Sequence, residues 1–366
     1  MEGEDKDYLI ALCYFKKFGP VSLKKIKNYF PSWQAAFGAP VEEIIRAGIE
    51  EKIAAEFVQA RQNIIPEKIK AELAQDLIKT ISIEEEGYPE LLKEIFYPPF
   101  LLFYKGDLKI NGHKTLAVVG ARKCTHYGQQ AIEKLIPEIV KNKIIIVSGL
   151  AIGIDSLAQM ETVKTGGQTI AVLGTGIDKN SIYPAQNFQL AEEIIASGGA
   201  IVSEFVPGTP PLKQNFPQRN RIIAGLARAT LVIEANQKSG SLITARFALE
   251  EGREVLAVPG NIFSPASEGP NNLIKSGAKP IFTADDILES FGVFVEKNEE
   301  KTGKDLSQFN IDERKILERL SCEPMMLDEL AQLTKLDMKI INSTLTILEI
   351  KKAVKNTGGG GYIINF

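Results

Sequence analysis

Cysteine and histidine are scarce in this chain: 366 residues hold three of the first and two of the second. Cys13, Cys124 and Cys322 lie far apart with no CxxC pair, which excludes a disulfide framework, and no His/Cys cluster has metal-ligand spacing. With His113 and His126 the only histidines and no GxSxG elbow, the parts of a Ser–His or Cys–His nucleophile are lacking. No apolar run approaches the ~20 residues that a membrane helix needs, so membrane insertion is excluded. No apolar run follows a basic stretch near the N-terminus either, and with no disulfide pattern this leads us to expect a cytoplasmic protein. GxxxxGK[ST] is missing, and GTGIDK at 174 to 179 lacks the third glycine of GxGxxG. Neither a P-loop nor a dinucleotide site is supported, and no cofactor or metal is expected.

Positive charge is also short overall. The 43 Lys and Arg face 46 Asp and Glu, a formal net charge of −3, so any nucleic-acid reading must rest on where charge sits. Split at 108 and 295, the three parts hold 14 basic against 18 acidic residues, 18 against 16, and 11 against 12. Only the middle part is positive. Within it Phe205 to Ile233 contains no Asp or Glu, yet carries Lys213, Arg219, Arg221 and Arg228. A second acid-free window, Leu108 to Ile132, carries Lys109, Lys114, Arg122 and Lys123.

Three regions differ in pattern. Residues 1–80 show helical periodicity, broken at Gly19-Pro20, and FKKFGPVSLKKIKNYF has the helix, turn, helix outline of a helix-hairpin-helix (a SAM-like accessory domain). The alternative is a helical bundle used for packing or protein contact, which the acidic balance of this block favours. Residues 81–295 alternate short Val- and Ile-rich runs (TLAVVG, KIIIVSG, QTIAVLG, GAIVSE, TLVIEA, REVLAVPG) with helical stretches near 126–142, 153–165, 186–197, 217–227 and 241–251. This predicts an α/β fold with a doubly wound, mainly parallel sheet. Pro137 inside the first of those helices predicts a kink or an early stop. Residues 296–308 are polar and read as a linker. Residues 309–366 read as three helices and a glycine-tipped hairpin, a winged-helix outline whose last helix has few basic residues.

In a doubly wound sheet, ligands bind at the carboxyl edge of the strands. The loops there read VGAR, SGLAIGID, LGTGIDKNSIYP, SEFVPG, ANQKSGSLITA and PGN. Gly120, Gly149, Gly153, Gly174, Gly176 and Gly240 permit close backbone approach to a phosphate, and Ser148, Thr175, Ser239 and Ser241 add hydroxyl donors. Lys238 stands beside Ser239. In KQNFPQRNR, at 213 to 221, Lys213, Arg219 and Arg221 can reach phosphates, while Phe216 offers a face on which an unpaired base could stack. The alternative is that Phe216 is core and Arg219 pairs with Glu204 or Glu234. Asp155, Asp178, Glu204 and Glu234 follow strands, where a pair could act as acid and base in a nucleotide hydrolase, or could cap helices and pair with arginine.

The ordered set VGAR, SGLAIGID, VLGTGIDKNSIYP, SE, NFPQRNRIIAGL, VIEANQKSGSLITA and VLAVPGN closely resembles the DprA/Smf family of bacterial DNA-processing proteins, densely over residues 85–290. The resemblance implies an extended Rossmann-like core that binds single-stranded DNA. It also implies a homodimer that protects incoming strands in natural transformation and loads the RecA recombinase on them, with no catalytic residues. By motif, the strand would be held by Arg122, Lys213, Phe216, Arg219 and Arg221 and by amides around Gly149, Gly174 and Gly240. Gly120, Ser148, Lys238 and Ser239, from the same loops, complete the candidate set. One departure is visible: against a pattern DxxAH, this chain ends in Gln159. The competing enzyme reading, a nucleotide or nucleoside-monophosphate hydrolase on a related fold, meets a missing PGGxGTxxE loop. A third reading makes the flanking domains an interaction module.

Overall fold

The computed structural model describes residues 3–293, 309–321, 324–358 and 360–364. The linker expected at 296–308 lies outside them. The chain divides into two compact units, Met1–Val295 and Glu296–Phe366.

In the first unit six helices lead: α1 (Gly3–Cys13), α2 (Pro20–Tyr29), α3 (Trp33–Gly38), α4 (Val41–Arg46), α5 (Glu51–Ala60) and α6 (Pro66–Gln75). Then follow β1 (Lys79–Ser82), α7 (Glu90–Lys93), β2 (Leu101–Gly106), β3 (Thr115–Val119), α8 (His126–Lys141), β4 (Ile145–Ser148), α9 (Ile154–Lys164), β5 (Thr169–Leu173), α10 (Phe188–Ala196) and β6 (Ala200–Ser203). The unit ends with α11 (Asn215–Gly225), β7 (Ala229–Val232), α12 (Ser241–Glu250), β8 (Glu254–Ala257), α13 (Glu268–Lys275), β9 (Lys279–Pro280) and α14 (Ala284–Ser290). The strands form one sheet in the order β1-β2-β6-β5-β4-β3-β7-β8-β9. From β6 to β9 every pairing is parallel, and β2 is antiparallel to both its neighbours.

The predicted doubly wound sheet is therefore present, with its six Val/Ile-rich runs as β3 to β8. Three strands were not read from sequence. β9 has two residues, and β1 and β2 lie in an acidic, aromatic stretch with weak alternation. The helix with Pro137 runs on to Lys141 without the early stop; its apolar face, buried at Ile132, Leu135, Ile136 and Ile139, outweighs the amide donor that proline lacks.

Period-two alternation divides each central strand between two cores. In β3, Ala117 and Val119 pack with the side of the sheet that α11 and α12 cover, whereas Leu116 and Val118 pack with Ile132, Leu135 and Ile136 of α8. The six N-terminal helices bury Leu9, Leu12, Trp33 and Phe57 in a third core, shared with Phe103, Leu173 and Ile201 of the sheet. Trp33 meets Phe100 edge-on at 5.8 Å.

The second unit contains α15 (Ile311–Leu317), β10 (Met325–Met326), α16 (Leu327–Thr334), α17 (Met338–Ile350), β11 (Val354–Gly358) and β12 (Gly361–Ile364). Its small sheet runs β10-β12-β11, the expected three helices and wing. Asn310 and Glu313 form a capping box at α15. Glu313, 1% exposed, accepts from Lys351 Nζ at 2.7 Å and from the Asn310 amide at 2.8 Å. Burial opposes its charge, but those two donors outweigh it and hold the carboxyl below its ordinary value. A depressed carboxyl contributes stability above its unfolded pKa of about 4.3 and loses it as pH falls through the lower folded value. Melts of this unit, followed by NMR of α15 amides, are expected to weaken over that acid window, and Glu313→Gln to flatten the dependence.

Candidate nucleic-acid interface

The chain builds β3 to β6 outward in one direction, then returns to lay β7 beside β3. Loops after β3 and β7 thus diverge at a topological switch, which opens a crevice at the carboxyl edge. It encloses about 840 Å³. Arg122 and Lys123 come from the loop after β3, Lys213, Phe216 and Arg219 from α11 and its lead-in, and Lys238, Ser239 and Gly240 from the loop before α12. Its lining holds five basic residues and one acid, Asp155.

The basic residues fall into two groups. Arg122, Lys123, Lys213 and Lys238 are exposed, and none has an acidic partner among the described residues. Arg122 lies over the half-buried Phe216 ring, 5.7 Å from its centroid. Gly174 lets that ring come close: a Cβ there would stand 3.0 Å from Phe216 Cδ1. The hydroxyls of Ser239 and Ser241 are 2.7 Å apart, and Lys238 donates its amide to Asn236 Oδ1 at 3.1 Å. These bonds shape the loop that opens α12, whose first turn carries no acid.

Arg219 belongs to the second group. It is 5% exposed, and its Nη1 donates to the carbonyls of Gly149, at 2.6 Å, and Val172. Asp155 lies alongside, accepting from the amides of Gly149 at 3.1 Å and Gly120 at 3.4 Å. Burial pulls the Arg219 guanidinium down to about 10 against the attraction of Asp155. Burial likewise pushes the Asp155 carboxyl up, although Arg219 and the two amides favour its charge. Gly149 is the residue that fits between them, since a Cβ there would come within 2.6 Å of Asp155 and 2.7 Å of Arg219 Nη2.

Arg219, read from sequence as a strand contact, is thus enclosed in the crevice floor, with Nη1 committed to two carbonyls and Nε to Asn220 Oδ1. Arg221, read the same way, does not line the crevice. It pairs with Glu204 and donates to the Tyr97 carbonyl at 2.6 Å. The sequence alternative paired Arg219 with Glu204 or Glu234; Glu204 instead meets Arg221, and Glu234 meets Thr125. Ser148 is also turned inward, donating to Val118 O at 2.6 Å.

The candidate acids are similarly engaged. Glu234, 1% exposed, accepts from the amide and hydroxyl of Thr125 at the start of α8. Asp178 accepts from Gly208 N at 2.7 Å and Ser181 Oγ at 3.0 Å. No group of three or more potential metal ligands occurs among the described residues, and no helix among them is long and apolar enough to cross a membrane.

Gln159 is fully buried. Its Oε1 accepts from Leu150 N and its Nε2 donates to Thr169 Oγ1, both at 3.2 Å. With Asn187, which donates to Leu150 O at 2.8 Å, it holds Leu150 in a left-handed conformation at φ 55°, unusual for a branched side chain. The departure from DxxAH therefore falls on a residue that shapes the loop after β4. Sequence reading named Lys123 only as part of an acid-free window, and it passed over Tyr183 and Asn220. Asn220 donates to Gly240 O at 3.1 Å and ties α11 to the loop before α12. Its signal was its place three to four residues from Phe216 and Ile223, on one helical face.

The family profile described as "DNA recombination-mediator protein A" matches residues 79–292, more than half of the chain. The chain belongs to the DprA/Smf family. A second profile, the DprA winged helix domain, matches residues 303–360. DNA processing protein DprA of Streptococcus pneumoniae is 47% identical over 212 residues, 58% of this chain and 74% of that protein. Protein Smf of Synechocystis is 34% identical over 99% of both chains. Among solved structures, S. pneumoniae DprA matches with a TM-score of 0.66 at 37% identity, covering 77% of this chain and 97% of the other. DNA processing protein A from Helicobacter pylori, solved for its single-stranded DNA binding mode, matches with a TM-score of 0.53 at 30% identity, covering 58% and 95%.

Proposed function

We propose that the protein binds single-stranded DNA in the carboxyl-edge crevice, protects it, and loads the RecA recombinase on it as a homodimer, without a catalytic step. The observation that carries the DNA part is the grouping of four exposed, acid-free cations around the half-buried Phe216. Arg122, Lys213 and Lys238 take phosphates, Phe216 takes a base, and Arg219 and Arg221 position the elements that carry them. A single strand suits this arrangement because its bases are free to turn onto an aromatic face while its backbone follows a basic groove. The H. pylori relative, whose single-stranded DNA binding mode was the subject of its structure, adds support. Homodimer formation and RecA loading rest on family membership.

Fluorescence anisotropy of single- and double-stranded oligonucleotides over a salt series tests the DNA part. We expect preference for the single strand and a log–log salt slope of roughly −0.7 per phosphate neutralised. Phe216→Ala is expected to cost ~1–3 kcal/mol of affinity with the slope unchanged. Binding that ignores strandedness, or that survives Arg122→Ala at full strength, would place the interface elsewhere. Light scattering reports the dimer, and RecA filament assembly on coated strands reports loading.

A further inference from the structure

Next to the cationic crevice lies a smaller hollow of about 40 Å³, formed mainly by Ala151, Ile152, Tyr183, Pro184 and Phe216. The hollow is continuous with the crevice: Arg122, Ala151, Tyr183, Phe216 and Arg219 line both. Tyr183 is 43% exposed and Ile152 49%, so apolar surface stays open to water beside a group of cations. The Tyr183 ring lies 5.8 Å from Phe216 with the planes at 54°. At that tilt the two rings do not stack on each other. Tyr183 also has no hydrogen bond among the described residues that would fix it as a structural tyrosine.

A flat ring between apolar walls, with phosphate-binding cations at its edge, matches one ligand chemistry: an unpaired nucleobase on a charged backbone. A paired base exposes only its edge in a groove and cannot enter. We infer that Tyr183 is a second base-stacking residue, and that a base enters this hollow against Tyr183 and Phe216 while Arg122 and Lys213 hold the flanking phosphates. This rests on the single-strand reading and extends it, because the hollow would supply the discrimination against duplex that phosphate contacts lack.

The test compares the full chain with Tyr183→Phe, Tyr183→Leu and Tyr183→Ala on two oligonucleotides of equal length, one oligo-dT and one abasic. Wild type is expected to bind oligo-dT more tightly than the abasic backbone. Tyr183→Ala and Tyr183→Leu should lose roughly 10- to 100-fold on oligo-dT and nothing on the abasic strand, with Tyr183→Phe close to wild type. Tyr183→Leu keeps an apolar side chain, so it decides the matter if the alanine variant fails to fold. Equal losses on both strands would assign Tyr183 a scaffolding role, and no loss on oligo-dT would leave the hollow empty of a base; either overturns the inference. If wild type binds neither oligonucleotide, the single-strand reading fails first, and this falls with it.

Discussion

Arg219→Ala is expected to lower the stability of the first unit by about 3–5 kcal/mol, the usual cost of removing one partner from a buried charged cluster. The side chain is 5% exposed and bonds the carbonyls of Gly149 and Val172. Alanine would orphan both acceptors, at ~1–3 kcal/mol each, and leave Asp155 buried without its nearest cation. The melting temperature should fall by on the order of 10 °C. The deficit should narrow as pH is lowered. Burial already raises the Asp155 pKa, loss of Arg219 raises it further, and protonation removes the charge that lost its partner. Calorimetry at two pH values reads both effects. A variant as stable as wild type would show that the guanidinium does not hold this floor together. Lysine would restore charge without the planar guanidinium, whose Nη1 meets two carbonyls while Nε meets Asn220, so Arg219→Lys should recover only part of the loss.

The second large effect is on binding. Replacing Arg122, Lys213 and Lys238 together by alanine is expected to flatten the salt slope by about 2, three phosphates at roughly 0.7 each. That corresponds to about hundredfold weaker binding near 0.1 M salt, with the gap closing towards 1 M. All three side chains are exposed, so the melting temperature should scarcely move. The two experiments separate cations that build the floor from cations that meet the ligand: Arg219→Ala should change stability, the triple variant should change the slope. A triple variant with an unchanged slope would refute the assignment of phosphates to these residues.

Much of this protein was open to reading from its sequence. Short apolar runs that end in glycine, alternating with amphipathic stretches, dictate a parallel sheet wound by helices, because hydrophobic period is a local property that burial merely fulfils. The order of the strands then sends the loops with Gly120, Gly149, Gly174 and Gly240 to one edge. The acid-free windows kept repulsive charge away from it. What sequence left open was the direction of each side chain, and in KQNFPQRNR that is decisive. Phe216, Arg219, Asn220 and Ile223 recur at helical spacing on the α11 face that lines the crevice, whereas Arg221, two residues past Arg219, is turned about 200° away. There it meets Glu204, a residue 17 positions earlier that no local pattern connects to it. Depth along the shared face, which leaves Phe216 half-open and Arg219 enclosed, depends on the carbonyls of Gly149, just after β4, and of Val172 in β5. Sequence by itself determined which loops and residue types meet at the sheet edge. Tertiary packing alone decided which cations remain free, because a guanidinium surrounded by carbonyls is a strut, and the same group facing water keeps its donors for a ligand.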